Sequence, residues 1–333
     1  MIRLVSVLFA FLLAFGGLAG PAQAQIYAVF SVSNVALGTV AGGITGQTVI
    51  RVNPDNGVTS TVSGAGGRVA TTSVRSLVTV GCAGGSVCSS SAPLITVYTP
   101  STASGRMGAP TNFTVSTVGA TATLATQPTT GSSITFLLQP IPDAAARTFW
   151  VGFDVPIAGD NSALAGGART VYLAVQASRS DYTMANGLYA SISATIVRGL
   201  AITKSSDLAF GRVFAPTSGT GSVSINATTG ARTVTGTGAV AAPGAATSAA
   251  QFSIAGEGGQ AISVTVPATF SLTSPNGTIS VATSATASGA QVLSGTSGTA
   301  GALVVRVGGS YNFSPTTPPG IYSGLLTVNV AYN

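Results

Sequence analysis

The sequence predicts an all-β protein of two tandem immunoglobulin-like, Greek-key β-sandwich domains behind an N-terminal leader, on three observations. Short runs rich in Val, Thr and Ile alternate apolar and small polar residues along the chain and are separated by Gly, Pro, Asn and Ser clusters, the signal for strands joined by turns. Good helix formers are few, and no long stretch holds a 3.6-residue apolar period. The pattern also repeats itself once, at an offset of about half the chain.

The leader comes first. Met1–Ala24 has a positive start at Arg3, an apolar core from Leu4 to Leu18 and a small-residue cleavage site at Ala22-Gln23-Ala24, the pattern of a secretory signal peptide with Gln25 as the new N-terminus. Gly16, Gly17, Gly20 and Pro21 interrupt the end of the apolar run, which is short for a membrane span. The expected location is therefore outside the cytoplasm, in the periplasm, at the cell surface or in the medium, and contact with a membrane is expected only during secretion.

After the leader, strands are expected at Thr48–Val52, Ser76–Val80, Leu94–Tyr98, Ser133–Leu138, Val171–Val175, Ala261–Val266 and Leu303–Val307. Turns are expected at Asn53-Pro-Asp-Asn-Gly57, Pro275-Asn-Gly277 and Pro318-Pro-Gly320. The first of these lacks the spaced acids of a calcium loop and reads as a hairpin turn.

The repeat sets the domain plan. Asn34-Val-Ala-Leu-Gly38 corresponds to Asp207-Leu-Ala-Phe-Gly211, Ile50-Arg-Val-Asn53 to Val223-Ser-Ile-Asn226, and Gly57 to Gly230. Asn186-Gly-Leu-Tyr189 resembles Pro319-Gly-Ile-Tyr322, each ahead of a closing strand. The expected domains are residues 25–198 and 199–333. The first carries extra residues between Gly81 and Ala158 that include the only cysteines, Cys82 and Cys88. In an exported chain this pair reads as a disulfide around a tight loop, since the spacing is not that of a redox motif and no His or further Cys exists to complete a metal site.

The chemistry-bearing residues are sparse. The chain has 13 Lys and Arg against 7 Asp and Glu, a net charge of +6, and no His. The basic residues are scattered singly, which argues against nucleic-acid binding. Absence of His removes the usual acid–base group and metal ligand, so an enzyme is not expected, and no cofactor is implied. Asp143, Asp154 and Asp160 are the one local concentration of acids, and a hydrolase built on Asp154 and Asp160 is a remote reading beside scattered solvated charge. The sole Trp, Trp150, lies in Phe149-Trp-Val-Gly-Phe153, where core packing competes with a ligand platform for a glycan.

The final stretch, Gly320 to Asn333, alternates: Tyr322, Leu326, Val328, Val330 and Tyr332 share one face, interrupted at Gly324. In the C-terminal half, Leu208-Ala-Phe-Gly211, Ala250-Gln-Phe-Ser-Ile-Ala-Gly256, Ile262-Ser-Val-Thr-Val-Pro267, Val305-Arg-Val-Gly-Gly309 and this ending resemble the DUF4402 family, exported bacterial β-domains of unassigned function. The first copy matches more loosely, and Ile192, Ala194 and Ile196 alternate in the opposite register, so a bulge or a different pairing is expected there.

The ending also resembles that of chaperone–usher pilins, which have a Gly fourteen residues from the end and a penultimate Tyr, as Gly320 and Tyr332 are here. That resemblance implies partnering by strand addition, with the chain itself or with a periplasmic chaperone or pilus partner. Gln25–Val32, with Ile26, Ala28, Phe30 and Val32 on one face, reads either as a donor strand or as the first strand of its own domain. The leading functional expectation is an exported structural or adhesive subunit, fimbria-like or at the cell surface. A carbohydrate-binding module is the alternative, and an outer-membrane β-barrel is more remote.

Overall fold

The computed structural model describes residues 26–70, 72–83, 85–128, 130–180 and 186–333. The signal peptide expected over Met1–Ala24 lies outside them. Strands dominate. In the first half they are β1 (Tyr27–Val32), β2 (Val35–Ala41), β3 (Thr48–Val52), β4 (Thr59–Ser63), β5 (Gly67–Arg68), β6 (Ser76–Cys82), β7 (Pro93–Tyr98), β8 (Thr111–Ser116), β9 (Ser133–Leu137), β10 (Ala146–Ile157), β11 (Gly167–Arg179) and β12 (Asn186–Val197). In the second half they are β13 (Ala201–Ser206), β14 (Val213–Phe214), β15 (Gly221–Ile225), β16 (Arg232–Thr235), β17 (Val240–Ala241), β18 (Ala250–Glu257), β19 (Ala261–Thr265), β20 (Thr269–Ser274), β21 (Gly277–Ala285), β22 (Gly289–Val292), β23 (Ala300–Phe313) and β24 (Asn329–Tyr332). The one α-helical turn among the described residues, α1 (Ser86–Ser90), begins in the Cys82–Cys88 loop and runs past Cys88.

Two sheets make the first sandwich. One runs β1-β6-β10-β3-β4 with β8 added on β10, and the other runs β5-β2-β12-β11-β7-β9. Neighbours in these sheets are often distant in sequence, as Greek-key connections require. Alternation explains the layering. Val171, Leu173 and Val175 of β11 and Ile192 and Ile196 of β12 point inward, and Val78, Val80, Phe149, Val151 and Phe153 meet them from the other sheet in a single buried cluster. Phe136 and Phe149 close the gap edge-to-face, with ring centroids 5.5 Å apart. Each such ring contributes about 2–3 kcal/mol on burial.

The expected repeat is visible as local geometry. β3–β4 and β15–β16 are matching antiparallel hairpins. In the first, the Asn53 carbonyl accepts from Gly57 N at 2.8 Å and its side chain from Asp55 N at 2.8 Å. In the second, Asn226 does the same toward Gly230 N and Thr228 N, each at 2.8 Å. Gly57 and Gly230 share a φ of 72° and 71°, a left-handed conformation that a side chain resists.

The second half builds a larger sheet, β13-β18-β23-β15-β16 with β21 and β20 added beyond β23, and a smaller one, β22-β19-β24. Among the described residues, no sheet and no buried apolar cluster holds residues from both sides of Arg198-Gly199. Every sheet is open-ended, so the single closed sheet of a membrane barrel is not built by the described residues. No described helix is long and apolar enough to cross a membrane.

β1 pairs antiparallel with β6 as the first strand of its own unit, one of the two readings of Gln25–Val32. Its inward face needs correction: Tyr27 and Val29 are buried, while Ile26, Ala28 and Val32 are half-buried and Phe30 is exposed. The Tyr27 hydroxyl sits between the carbonyls of Cys88 and Ser91, which fixes the inward face, and a register shift between Val29 and Ser31 ends the alternation. The closing strand of the first copy does depart in pairing, as its register predicted. β12 runs antiparallel to β11 and parallel to β2, with a shift between Ser193 and Ala194.

The two halves meet through a chain of polar contacts around the last tyrosine. Tyr332 Oη donates to Arg198 O at 2.9 Å and accepts from Glu257 N at 2.8 Å. Glu257, only 3% exposed, accepts from Arg198 N at 3.2 Å. One residue on, Gly199 N donates to Asp160 Oδ2 at 2.8 Å, and Asp160 pairs with the buried Arg106 at 2.6 Å. Burial pushes the Tyr332 hydroxyl above its ordinary value of 10.

Cys82 and Cys88 form a disulfide with Cα atoms 5.9 Å apart. Its loop is short, so the chain-entropy gain is about 2 kcal/mol. Replacing both cysteines by Ala is expected to lower the melting temperature of the first half by roughly 4–8 °C, read by calorimetry. The Tyr332 clamp has a pH signature. Because its folded-state value is raised, the neutral hydroxyl stabilises fully below pH 10 and its contribution is lost as pH rises through the raised value. Tyr332→Phe is expected to cost about 1 kcal/mol near neutral pH in denaturant titrations, and that gap should close in stronger alkali. A gap that stays constant with pH would show that the hydroxyl is not the clamp.

Candidate functional site

The alternating face expected at the C-terminus is present in burial but only partly in pairing. Val328 is 9% exposed, and Tyr322, Leu326, Val330 and Tyr332 are half-buried, whereas Ile321 and Leu325 stand 90% and 83% exposed. Asn329–Tyr332 form β24 against β19, pairing Val330 with Val264 and Tyr332 with Ile262. Upstream, from Gly320 to Val328, one bridge holds the backbone among the described residues, Ser323 with Thr273 at 2.8 and 3.0 Å. Tyr322 Oη donates back to Pro318 O at 2.7 Å, and Gly320 sits exposed in the turn between them.

Beside this segment lies a groove of about 930 Å³. One wall is Leu208–Ala215 and the other is Thr317–Leu326; Phe252, Phe270, Leu272, Ile279, Tyr311 and Phe313 line it between them. The lining is aromatic and aliphatic, with Phe210 and Tyr311 edge-to-face at 4.9 Å. Burial raises the Tyr311 hydroxyl above its ordinary value. Charge is confined to Arg212 and to the Lys204–Asp207 pair, 2.6 Å apart and largely exposed. The apolar interior here falls into two clusters, one around Ile262, Val264, Val305 and Val328, the other around Phe210, Val223, Val281 and Phe313. Leu208 touches both. Native interiors are normally close-packed, so an opening of this size is a feature to account for.

The first copy shows what is different. There the counterpart of Leu208–Gly211 is β2. The counterpart of Gly320–Tyr332 is β11, which follows β10 and pairs with β7 as the last segment follows β23 and pairs with β19 through β24. The place between β11 and β2 is filled by β12, antiparallel to one and parallel to the other. In the second copy the groove occupies that position. The extended segment at 320–328 therefore has an apolar face, a mostly unladdered backbone and an open slot beside it.

The other expected residues fall outside this site. Trp150 is half-buried on the outer face of β10, and the Arg75 guanidinium lies 3.7 Å from its ring centroid, occupying the ring face that a sugar would need. The three acids do not converge. Asp143 accepts from Gly85 N at 2.9 Å, Asp154 is held by both Arg51 nitrogens at 2.7 Å and by Asn112 at 3.0 Å, and Asp160 serves the junction. No group of three potential metal ligands occurs among the described residues. Asn53–Gly57 is a hairpin turn. The groove wall at Leu208–Ala215 and the floor residue Ile279 were not legible as a site, because their neighbours come from strands far apart in sequence.

No curated protein matches the chain. Among solved structures, the chain matches the CsuC–CsuE chaperone–tip adhesion subunit pre-assembly complex from the archaic chaperone–usher Csu pili of Acinetobacter baumannii. The match covers 90% of this chain and 99% of that one at 10% identity, with a TM-score of 0.26. The C-terminal part of the chain does match a family model: residues 200–332 match DUF4402, a domain of unknown function.

Proposed function

We propose that this chain is an exported structural subunit of a fimbria-like or cell-surface assembly, built of two tandem sandwich units (25–198 and 199–333) and joined to its neighbour by β-strand addition at the C-terminal groove. The observation that carries this reading is the groove itself: an apolar slot flanked by an extended segment that has one backbone bridge over nine residues. A strand supplies both missing elements at once, a ladder partner for the wall and alternate side chains for the floor. About eight residues at roughly 3.3 Å each would run the length of the Leu208–Ala215 wall. Four inward apolar side chains contribute about 6–12 kcal/mol gross, before the ordering costs of association.

The donor is an extended, alternately apolar strand of another polypeptide, either a second copy or an assembly chaperone. β1 is a poor donor in place, because Tyr27 and Val29 are buried in its own sandwich. The disulfide fits an oxidising compartment. Catalysis finds no support in the arrangement, since the carboxylates are separately engaged in structural bonds.

Ile279→Arg tests this. It places a charge at a half-buried groove position without touching β24. Material recovered from the surface of the producing cell should contain wild-type chain in higher-order assemblies by electron microscopy, and about tenfold less of the variant, given the several kcal/mol penalty for an unpaired charge in an apolar slot. Hydrogen exchange should slow at residues 320–328 on assembly. Wild-type protein that remains monomeric there, with unprotected amides, would sink the reading.

A further inference from the structure

The outer face of the first unit carries an arrangement unrelated to the groove. Along β11, Val171, Leu173 and Val175 point into the core, so Thr170, Tyr172, Ala174 and Gln176 face out. Register places Tyr98 of β7 and Tyr189 of β12 on either side of Ala174. Ala174 is only 2% exposed although it lies on an outer face, so the flanking rings lie over it rather than standing away from the sheet. Tyr189 remains 63% exposed, and Tyr172, opposite Ser191 and diagonal to Tyr189, is 46% exposed. Diagonal neighbours of this kind are about 7–8 Å apart.

The hydroxyls are organised as well. Gln176 Nε2 donates to Tyr98 Oη at 3.1 Å. Gly187 leaves room for this amide, because a Cβ there would come within 2.7 Å of Gln176 Cγ. Thr96 and Thr135, with hydroxyls 3.4 Å apart, extend the polar rim. The outward positions of β7, β9, β11 and β12 around the tyrosines carry no charged residue.

We propose that this three-tyrosine face, Tyr98, Tyr172 and Tyr189 with Gln176, is a binding surface for neutral glycans. A pyranose ring offers an apolar C–H face for an exposed aromatic ring and a hydroxyl rim for amide and hydroxyl partners, and it brings no charge to be neutralised. Rigid tyrosines lose little side-chain freedom when they bind. Tyrosine anchors protein interfaces too, in company with Trp and Arg. Here the rings are bordered by Gln176 and the Thr96 and Thr135 hydroxyls with no Trp or Arg among them, a setting that matches a neutral, hydroxyl-rich ligand. The assignment does not rest on strand addition at the C-terminal groove.

The test is a glycan array of neutral and anionic oligosaccharides probed with the full chain. Wild type is expected to bind neutral glycans, with a loss of about tenfold or more in Tyr189→Ala and in Tyr172→Ala/Tyr189→Ala. Tyr189→Phe, which keeps the ring, should retain most of the binding, and Trp150→Ala should retain all of it. Unchanged melting of the exposed-site variants separates lost binding from lost folding. Ile279→Arg should bind as wild type, so failure of the assembly reading and failure of this one remain distinguishable. Absence of any neutral-glycan signal, binding confined to anionic glycans, or binding indifferent to the double variant overturns the proposal. Capture of a protein by wild type but not by the double variant, with no glycan signal, also overturns it.

Discussion

A β-strand buried on one face still has two hydrogen-bonding edges, and each backbone group on them needs a partner or water. That constraint organises both halves of this chain and separates them. In the first half, β12 has β11 on one edge and β2 on the other, and its inward residues join a single core cluster. In the second, β24 has β19 on one edge over four residues, in the position that β7 holds beside β11. No described strand stands in the place of β12, and the core beneath splits in two. An unpaired strand and a divided core are the same deficit seen along and across the sheet.

The two halves follow one strand order apart from β12. β13-β18-β23-β15-β16 repeats the order β1-β6-β10-β3-β4, β22-β19-β24 repeats β9-β7-β11, and β21 lies on β23 as β8 lies on β10. In the first half, Phe113 and Phe136 pack on Phe153 and Phe149 across the two sheets. The first unit thus completes itself with its own chain. The second unit keeps the hairpin that begins the repeat, β15–β16 with its Asn226–Gly230 turn, and the β22-β19 pair beside β24, but among the described residues no strand takes the place of β12.

Local features were readable from the sequence because period-two alternation and turn chemistry are local. Thr48–Val52 is β3 as expected, the β6 and β7 cores fall where the runs of β-branched residues put them, and the Asn-to-Gly turns recur in both copies. The apolar face of the last strand was legible for the same reason. What escaped were pairings set by topology. Arg51 with Asp154, Arg106 with Asp160 and Arg198 with Glu257 join residues at least fifty positions apart, with no motif to announce them. Trp150 read as core or as a platform, and it lies between the two, half-buried on the outer face with the Arg75 guanidinium over its ring. The tyrosine face has the converse history: Tyr98, Tyr172 and Tyr189 are unremarkable singly and become a surface only when β7, β11 and β12 are laid side by side.

The groove stays open for a reason that lies at its two ends. Below it, Tyr332 is tied to Arg198 and Glu257, which anchors β24 at the junction between the units. Above it, Tyr322 is bonded to Pro318, and Asn276 Nδ2 donates to Pro319 O at 3.4 Å, which holds the Pro318-Pro-Gly320 turn against the β20–β21 hairpin. Collapse of the middle, Gly324 to Thr327, onto Leu208–Val213 would have to displace one of these anchors or extend a chain already stretched between them. On the proposed reading, a segment pinned at both ends and unladdered in the middle can take a strand without first unfolding. With so little charge along it, backbone hydrogen bonding and apolar contact are what an incoming strand would gain there.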